Sequence, residues 1–347
     1  MIEWGIPDFR EEDLEAASSS LGTYIGGNGE LVLKFEQEFA NKVGAKYAVA
    51  TNNGTSALVS ACMVLKHIHG NLKIGVPNFT FIASANSTGL IFDSMVLLDV
   101  DPQTWNVTKR YAKSADAIMT VDVGGLSCDY DSLKELGIPI IADSAEAAGS
   151  KYKGNYVGTQ ALMHCFSLHR SKIISCGEGG IITTNSEECY KLLKSYTNHG
   201  YDENRKSYEY KHKTLGLNFR LTDVHAAIAL QQLKRLDIYV AHRQEIAKVY
   251  DNLSFDTQQY DRKNYLHNYF FYGIQVDPRH RDRIVEGMLG KEIVCKTWST
   301  VSSQQCYQSP PTPSAKKIAD SIILLPIHNK LTINDAEKVC EELMRII

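Results

Sequence analysis

For almost 200 residues, short apolar runs alternate with helical patterns, and this rhythm constrains the fold more than any other feature. The runs are Ile74 to Val76, Met95 to Leu98, Ala117 to Val121, Ile138 to Ala142 and Ile181 to Thr184. Between the first two, Ala83 to Leu90 reads as a helix. Before them Thr55 to His69 reads as another, with Ala57, Ala61, Val64, Leu65 and Ile68 near one face. Alternation of this kind is the mark of βα units, so the expected class is α/β, with a mainly parallel central sheet flanked by helices. Ala226, Leu230, Leu233 and Val240 recur at helical spacing, predicting one long amphipathic helix from Thr222 to about Val240. We expect a large domain over 1–240 and a smaller C-terminal α+β domain over 241–347. The smaller domain contains the proline loop Ser309 to Pro313, the apolar run Ile322 to Leu325 and a closing helix from Asn334.

At 347 residues with 44% hydrophobic side chains, the chain can bury a sizeable core without staples. Thirty-seven basic against 40 acidic residues leave no positive excess to drive binding to nucleic acid. No apolar run approaches the ~18 to 20 residues that span a bilayer, and Met1 to Gly5 lacks a basic region followed by an apolar one. The expectation is a cytoplasmic protein that binds no membrane. The eight cysteines are scattered without a CxxC pair, which argues against a zinc site or a disulfide framework and predicts no metal.

Three segments carry residues suited to chemistry. Asn52 to Leu58 passes from an extended stretch, Tyr47 to Ala50, into a helix start, where free backbone N–H groups and two hydroxyls form a phosphate cradle. Alternatively, Thr55 or Ser56 merely caps the helix. Gly26-Gly27-Asn28-Gly29 lacks dinucleotide spacing and reads as a loop. Asp143 follows Ile140-Ile141-Ala142, placing it at the carboxyl end of a buried strand, either as a ligand-binding acid or as the cap of a helix over Ser144 to Ala148. Glu146 lies on the same face of that turn. Lys172, flanked by Ile173, Ile174 and the turn Gly177 to Gly180, is a candidate buried amine, and a desolvated lysine forms Schiff bases with aldehydes. A phosphate cradle, an acid after a strand and a buried lysine are together what pyridoxal phosphate chemistry requires.

Nearly the whole chain resembles the sugar-nucleotide aminotransferases of the DegT/DnrJ/StrS type, within the aspartate aminotransferase fold (fold type I). The matching segments include Phe35 to Ala40, Asn53 to Leu58, Pro77 to Phe81, Asp143 to Ala147, Phe166-Ser167 with Lys172, Gly177 to Gly180, His199-Gly200 and Gly216 to Arg220. The resemblance implies that Lys172 holds pyridoxal 5'-phosphate and shuttles the substrate proton, while Asp143 pairs with the pyridine nitrogen. It further implies that Phe81 stacks on the ring, that Glu146 lies near the phenolic oxygen, and that Gly54, Thr55 and Ser167 bind the phosphate. Asn218 resembles a residue that reaches the neighbouring subunit's cofactor, implying a homodimer with a shared active site. The implied reaction converts a keto-deoxysugar nucleotide, a 4-keto-6-deoxyhexose, to the amino sugar, with glutamate as donor. The alternatives are a 3-keto sugar nucleotide or a non-catalytic binding protein on the same fold.

The chain departs from the family pattern in places. Asp122 stands where relatives often carry histidine before a glycine, so substrate contacts there are expected to differ. His169-Arg170-Ser171 replaces the commoner residues before the lysine, which makes His169 and Arg170 candidates for phosphate or sugar contacts. In related dehydratases histidine replaces the lysine, whereas Lys172 is retained here.

Overall fold

The computed structural model describes residues 1–22, 29–202, 204–206, 208–307 and 309–347. Gly26, Gly27 and Asn28 of the glycine-rich loop lie outside the described residues.

The central sheet is built from β1 (Tyr47–Thr51), β2 (Lys73–Pro77), β3 (Ser94–Leu98), β4 (Ala117–Val121), β5 (Ile140–Asp143), β6 (Met163–Ser167) and β7 (Gly180–Thr184), in the order β1-β7-β6-β5-β4-β2-β3. The expected α/β class holds. Successive side chains of a strand face opposite ways, so Phe166 and Ile181 enter one apolar cluster while Cys165 and Ile182 enter the other. Helices cover both faces: Gly54–His69, Ile82–Ile91 and Glu187–Tyr196 on one side, Glu30–Val43 and Asp223–Lys234 on the other. Burial on both faces is why these strands read as continuous apolar runs.

Four sequence expectations need correction. The run Ile181 to Thr184 is not a further parallel strand, because β7 pairs antiparallel with both β6 and β1. The connection over residues 168–179 forms no helix, and without a crossover helix the chain folds straight back. This return carries Lys172 at the carboxyl edge of β6. Strand β6 itself escaped notice, because polar His164 interrupts its apolar pattern.

The helix expected from Thr222 to Val240 is instead two, Asp223–Lys234 and Leu236–Tyr250. They break at Arg235, whose guanidinium donates to Asp13 Oδ1 at 2.7 Å and to the Tyr239 hydroxyl at 2.8 Å. Ser144 to Ala148 forms turns and no helix. Asn53, rather than Thr55 or Ser56, caps the helix that begins at Gly54, its Oδ1 accepting the Ser56 N–H at 2.8 Å.

Strands β8 (Tyr272–Gln275) and β9 (Ile322–Leu325) pair antiparallel, and the closing helix spans Ile333–Ile346. Helix Leu236–Tyr250 bridges two cores. Leu236, Tyr239 and Val240 pack under the central sheet, while Ile246, Ala247 and Tyr250 pack with Ile323, Leu325 and Leu343. No helix among the described residues is long and apolar enough to cross a membrane.

Candidate active site

Open α/β sheets bind ligands beyond the carboxyl ends of their parallel strands. Here Val121, Asp143 and Ser167, at the ends of β4, β5 and β6, border one cavity of about 680 Å³. Gly54, Thr55, Phe81, Glu146 and Lys172 border it as well. Seven of the eight site residues read from sequence therefore converge on one space. Asn218 does not: it is exposed and pairs with Asn198 in an isolated antiparallel bridge.

The Lys172 side chain is only 15% exposed, and its Nζ lies 3.8 Å from Glu146 Oε1 and 4.2 Å from the Phe270 ring centroid. Asp143 is buried, with Oδ2 accepting from Ser84 Oγ at 2.7 Å and Oδ1 from the Ala145 N–H at 3.1 Å. Burial pushes its pKa upward, against those hydrogen bonds and the charge of Lys172. Among the described residues no cation lies within ion-pair distance of it, an unusual state for a buried carboxylate. Glu146 Oε2 accepts the Gly124 N–H at 2.8 Å, and burial pushes its pKa up to about 7 despite the nearby Lys172.

At the third corner, the first-turn amides of Gly54 and Thr55, which a helix cannot satisfy internally, border the cavity beside Ser167. A Cβ at residue 54 would meet Ser167 Cβ at 2.8 Å, so glycine is what lets the helix start approach β6. Phe81 is 61% exposed into this region, which rules out a core role for its ring.

A buried polar chain fixes the turn after Asp143. The Ala161 N–H donates to His164 Nε2 at 2.9 Å, so His164 Nδ1 carries the proton and donates to Ser144 Oγ, also at 2.9 Å. Ser144 Oγ donates to Asp122 Oδ2 at 2.7 Å, and the Tyr130 hydroxyl and Cys128 N–H donate to the same carboxylate. Burial holds His164 neutral, its pKa lowered to about 3, and pushes Asp122 up to about 6. Asp122 is thus buried within the scaffold and does not border the cavity. His169 lines the cavity, with Nδ1 2.9 Å from Ser171 Oγ, whereas Arg170 is exposed and does not line it.

Sequence reasoning missed several cavity residues. Ser84, in the short helix Ile82–Ile91, was missed as well; it is fully buried and holds Asp143 without bordering the cavity. Trp4, Phe270, Lys296 and Trp298 come from the two ends of the chain, and no spacing rule links them to Lys172.

The profile of the DegT/DnrJ/EryC1/StrS aminotransferase family matches residues 7–344. The chain belongs to that family. It is 34% identical over 263 residues to a GDP-perosamine synthase of Escherichia coli O157:H7, covering 73% of this chain and 71% of that protein. It is 29% identical over 338 residues to the UDP-2-acetamido-2-deoxy-3-oxo-D-glucuronate aminotransferase of Pseudomonas aeruginosa, covering 93% and 92%. Among solved structures, Helicobacter pylori PseC, an aminotransferase involved in the biosynthesis of pseudoaminic acid, superposes with a TM-score of 0.92 at 24% identity, covering 99% of this chain and 98% of that one. The family's aspartate aminotransferase-like architecture, expected from the motifs, is the one observed.

Proposed function

We propose that the protein is a pyridoxal phosphate-dependent aminotransferase that converts a 4-keto-6-deoxyhexose nucleotide to its amino sugar, with glutamate as amino donor. One observation carries this reading: a buried amine, Lys172, and a buried carboxylate with no ion-pair partner among the described residues, Asp143, border the same cavity as an open helix start. The residues fit the cofactor. Gly54, Thr55 and Ser167 offer amides and a hydroxyl to a phosphate, Asp143 offers the negative charge that a protonated ring nitrogen needs, and Lys172 offers the amine for an aldehyde.

When bound, pyridoxal phosphate supplies an aldehyde that takes up amino groups and a ring that accepts electron density from the substrate carbon. The protein's own groups do the rest. Lys172 Nζ moves the proton to and from the substrate carbon, with Glu146 Oε1 and the Phe270 face confining its swing. Asp143, clamped by Ser84 and Ala145, keeps its charge aimed at one point. In this reading Phe81 would cover the ring of the bound cofactor, and Glu146 would be the carboxyl available to its phenolic oxygen.

The active unit in this reading is a homodimer, with Asn218 reaching the neighbouring subunit's cofactor. Exposed apolar side chains near Asn218 support this, Tyr210 being 87% and Leu215 91% exposed, because apolar surface of this kind marks association sites. The division into a large domain over 1–240 and a small domain over 241–347 is supported by the two cores that helix Leu236–Tyr250 connects. The eight unpaired cysteines support a cytoplasmic setting.

A 3-keto sugar nucleotide is the second reading, favoured by the 3-oxo substrate named for the Pseudomonas relative. The test is to add glutamate to the cofactor-loaded protein, follow loss of its visible absorbance, and then offer 4-keto and 3-keto sugar nucleotides in parallel. Recovery of the band with a 4-keto sugar alone supports the first reading, and with a 3-keto sugar alone the second. If glutamate leaves the spectrum unchanged, the assigned donor is wrong.

A further inference from the structure

Two ammonium groups flank one aromatic pair at the cavity. Lys172 Nζ lies 4.2 Å from the Phe270 centroid and Lys296 Nζ lies 4.4 Å from the Trp4 ring, while Trp4 and Phe270 meet edge to face with centroids 5.9 Å apart. The two amines differ in what surrounds them. Lys172 is buried with Glu146 at 3.8 Å, whereas Lys296 is exposed and has no carboxylate partner among the described residues.

Lys296 is also held in place by its backbone. Its N–H donates to the Leu324 carbonyl at 3.1 Å and its carbonyl accepts the Leu324 N–H at 2.7 Å, which adds residue 296 to the edge of the β8–β9 sheet. Trp4 is tied to the same region, its carbonyl accepting the Ile327 N–H. The neighbouring His169 adds little positive charge at neutral pH. Burial lowers its pKa, the charges of Lys172, Arg170 and Lys296 add to that, and Glu178 opposes it. Lys296 is therefore a backbone-anchored lysine, with no ion-pair partner among the described residues, bordering the cavity that also holds Lys172.

We propose that Lys296 anchors an oxyanion of a substrate at this rim, as its second point of attachment beyond Lys172. This rests on the aminotransferase reading, in which both substrates are anionic: the amino donor through its carboxylates, the sugar nucleotide through its diphosphate. An ammonium is a compact point charge on a flexible stem, so it accepts either oxyanion without the fixed fork geometry of arginine.

The experiment is calorimetric titration of the cofactor-loaded, full-length protein with glutarate and, separately, with GDP, UDP and dTDP. The variants are Lys296→Gln and Lys296→Arg. The expected result is a loss of about tenfold or more in affinity for at least one probe class in Lys296→Gln, with much of it retained in Lys296→Arg, since one charge-assisted contact is removed and then restored. Loss for glutarate assigns the donor carboxylate, and loss for a nucleotide assigns the diphosphate. An unchanged visible absorbance band in both variants shows that the fold and cofactor site are intact. Equal affinity of wild type and Lys296→Gln for every probe, or no binding by the wild type, overturns the proposal. If anion affinity depends on Lys296 but glutamate donates no amine, the anchor stands and the aminotransferase reading falls.

Discussion

The Lys172 ammonium lies 4.2 Å from the centroid of Phe270, a residue brought in from the C-terminal third of the chain. A cation over an aromatic face is stabilised by ~0.5 to 2 kcal/mol according to its desolvation, and here the ring also walls one side of the amine's path. Lys172→Ala should leave a folded protein that shows no visible absorbance band with pyridoxal phosphate and no amine transfer. Normal turnover in that variant would remove Lys172 from the mechanism.

Asp143 is held by Ser84 Oγ at 2.7 Å and faces no cation among the described residues. A hydrogen bond to a charged group contributes about 1.5 to 3 kcal/mol, and each 1.36 kcal/mol is tenfold in rate. Asp143→Asn should therefore slow amine transfer roughly 10- to 100-fold with little change in melting temperature. Full activity in steady-state assays would sink its assignment to the ring nitrogen.

Gly54 has no room for a side chain, because a Cβ there would sit 2.8 Å from Ser167 Cβ. Gly54→Ala should push the helix start away from β6 and weaken retention of pyridoxal phosphate, at a cost of about 1 to 3 kcal/mol. Dialysis followed by measurement of bound cofactor reads this directly, and wild-type retention would place the phosphate elsewhere.

Glu146 titrates near 4.5 when unfolded and is pushed up to about 7 by burial in the native chain. Between those values the native state keeps a proton that the unfolded chain has released, so this group's contribution to stability falls as pH rises from about 4.5 to 7 and stays lost above. Glu146→Gln keeps an acceptor for the Gly124 N–H and removes the titration. In cofactor-free protein the variant should gain at most on the order of 3 kcal/mol at about pH 8 and almost nothing at about pH 4.5. Urea unfolding at both pH values checks the sign, and a difference independent of pH would contradict it.

Asn218 lies outside its own subunit's cavity. If it completes the neighbouring site, Asn218→Ala should weaken cofactor affinity by about 1 to 3 kcal/mol, the cost of one lost partner for a charged group, without altering the fold. Unchanged affinity in a dimer would show that the site is complete within one chain.

Much of this site was legible in the sequence because its residues sit at element boundaries, where local rules are strict. Asp143 had to end a strand because an apolar run precedes it. Gly54 to Ser56 had to open a helix because an extended stretch gives way there to a helical pattern. Ser84, Phe270 and Lys296 were not legible, since Ser84 reaches Asp143, and Phe270 and Lys296 reach the cavity, only through packing between distant segments, and spacing carries no information about such contacts. The same holds for β6, where His164 is tolerated in a buried strand only because Ser144 and the Ala161 N–H satisfy both ring nitrogens.

By itself the sequence determined the α/β class, the family and seven residues that border one cavity, because hydrophobic periodicity and boundary chemistry are local properties of the chain. Only the tertiary structure decided that β7 returns antiparallel and so brings Lys172 to the cavity that Asp143 borders. It also decided that the helix after Thr222 breaks at Arg235, and that Lys296 packs on Trp4 at the rim with no carboxylate partner among the described residues. Those outcomes depend on which distant groups compete for the same hydrogen bonds and the same buried space, and that competition is settled only once the chain is folded.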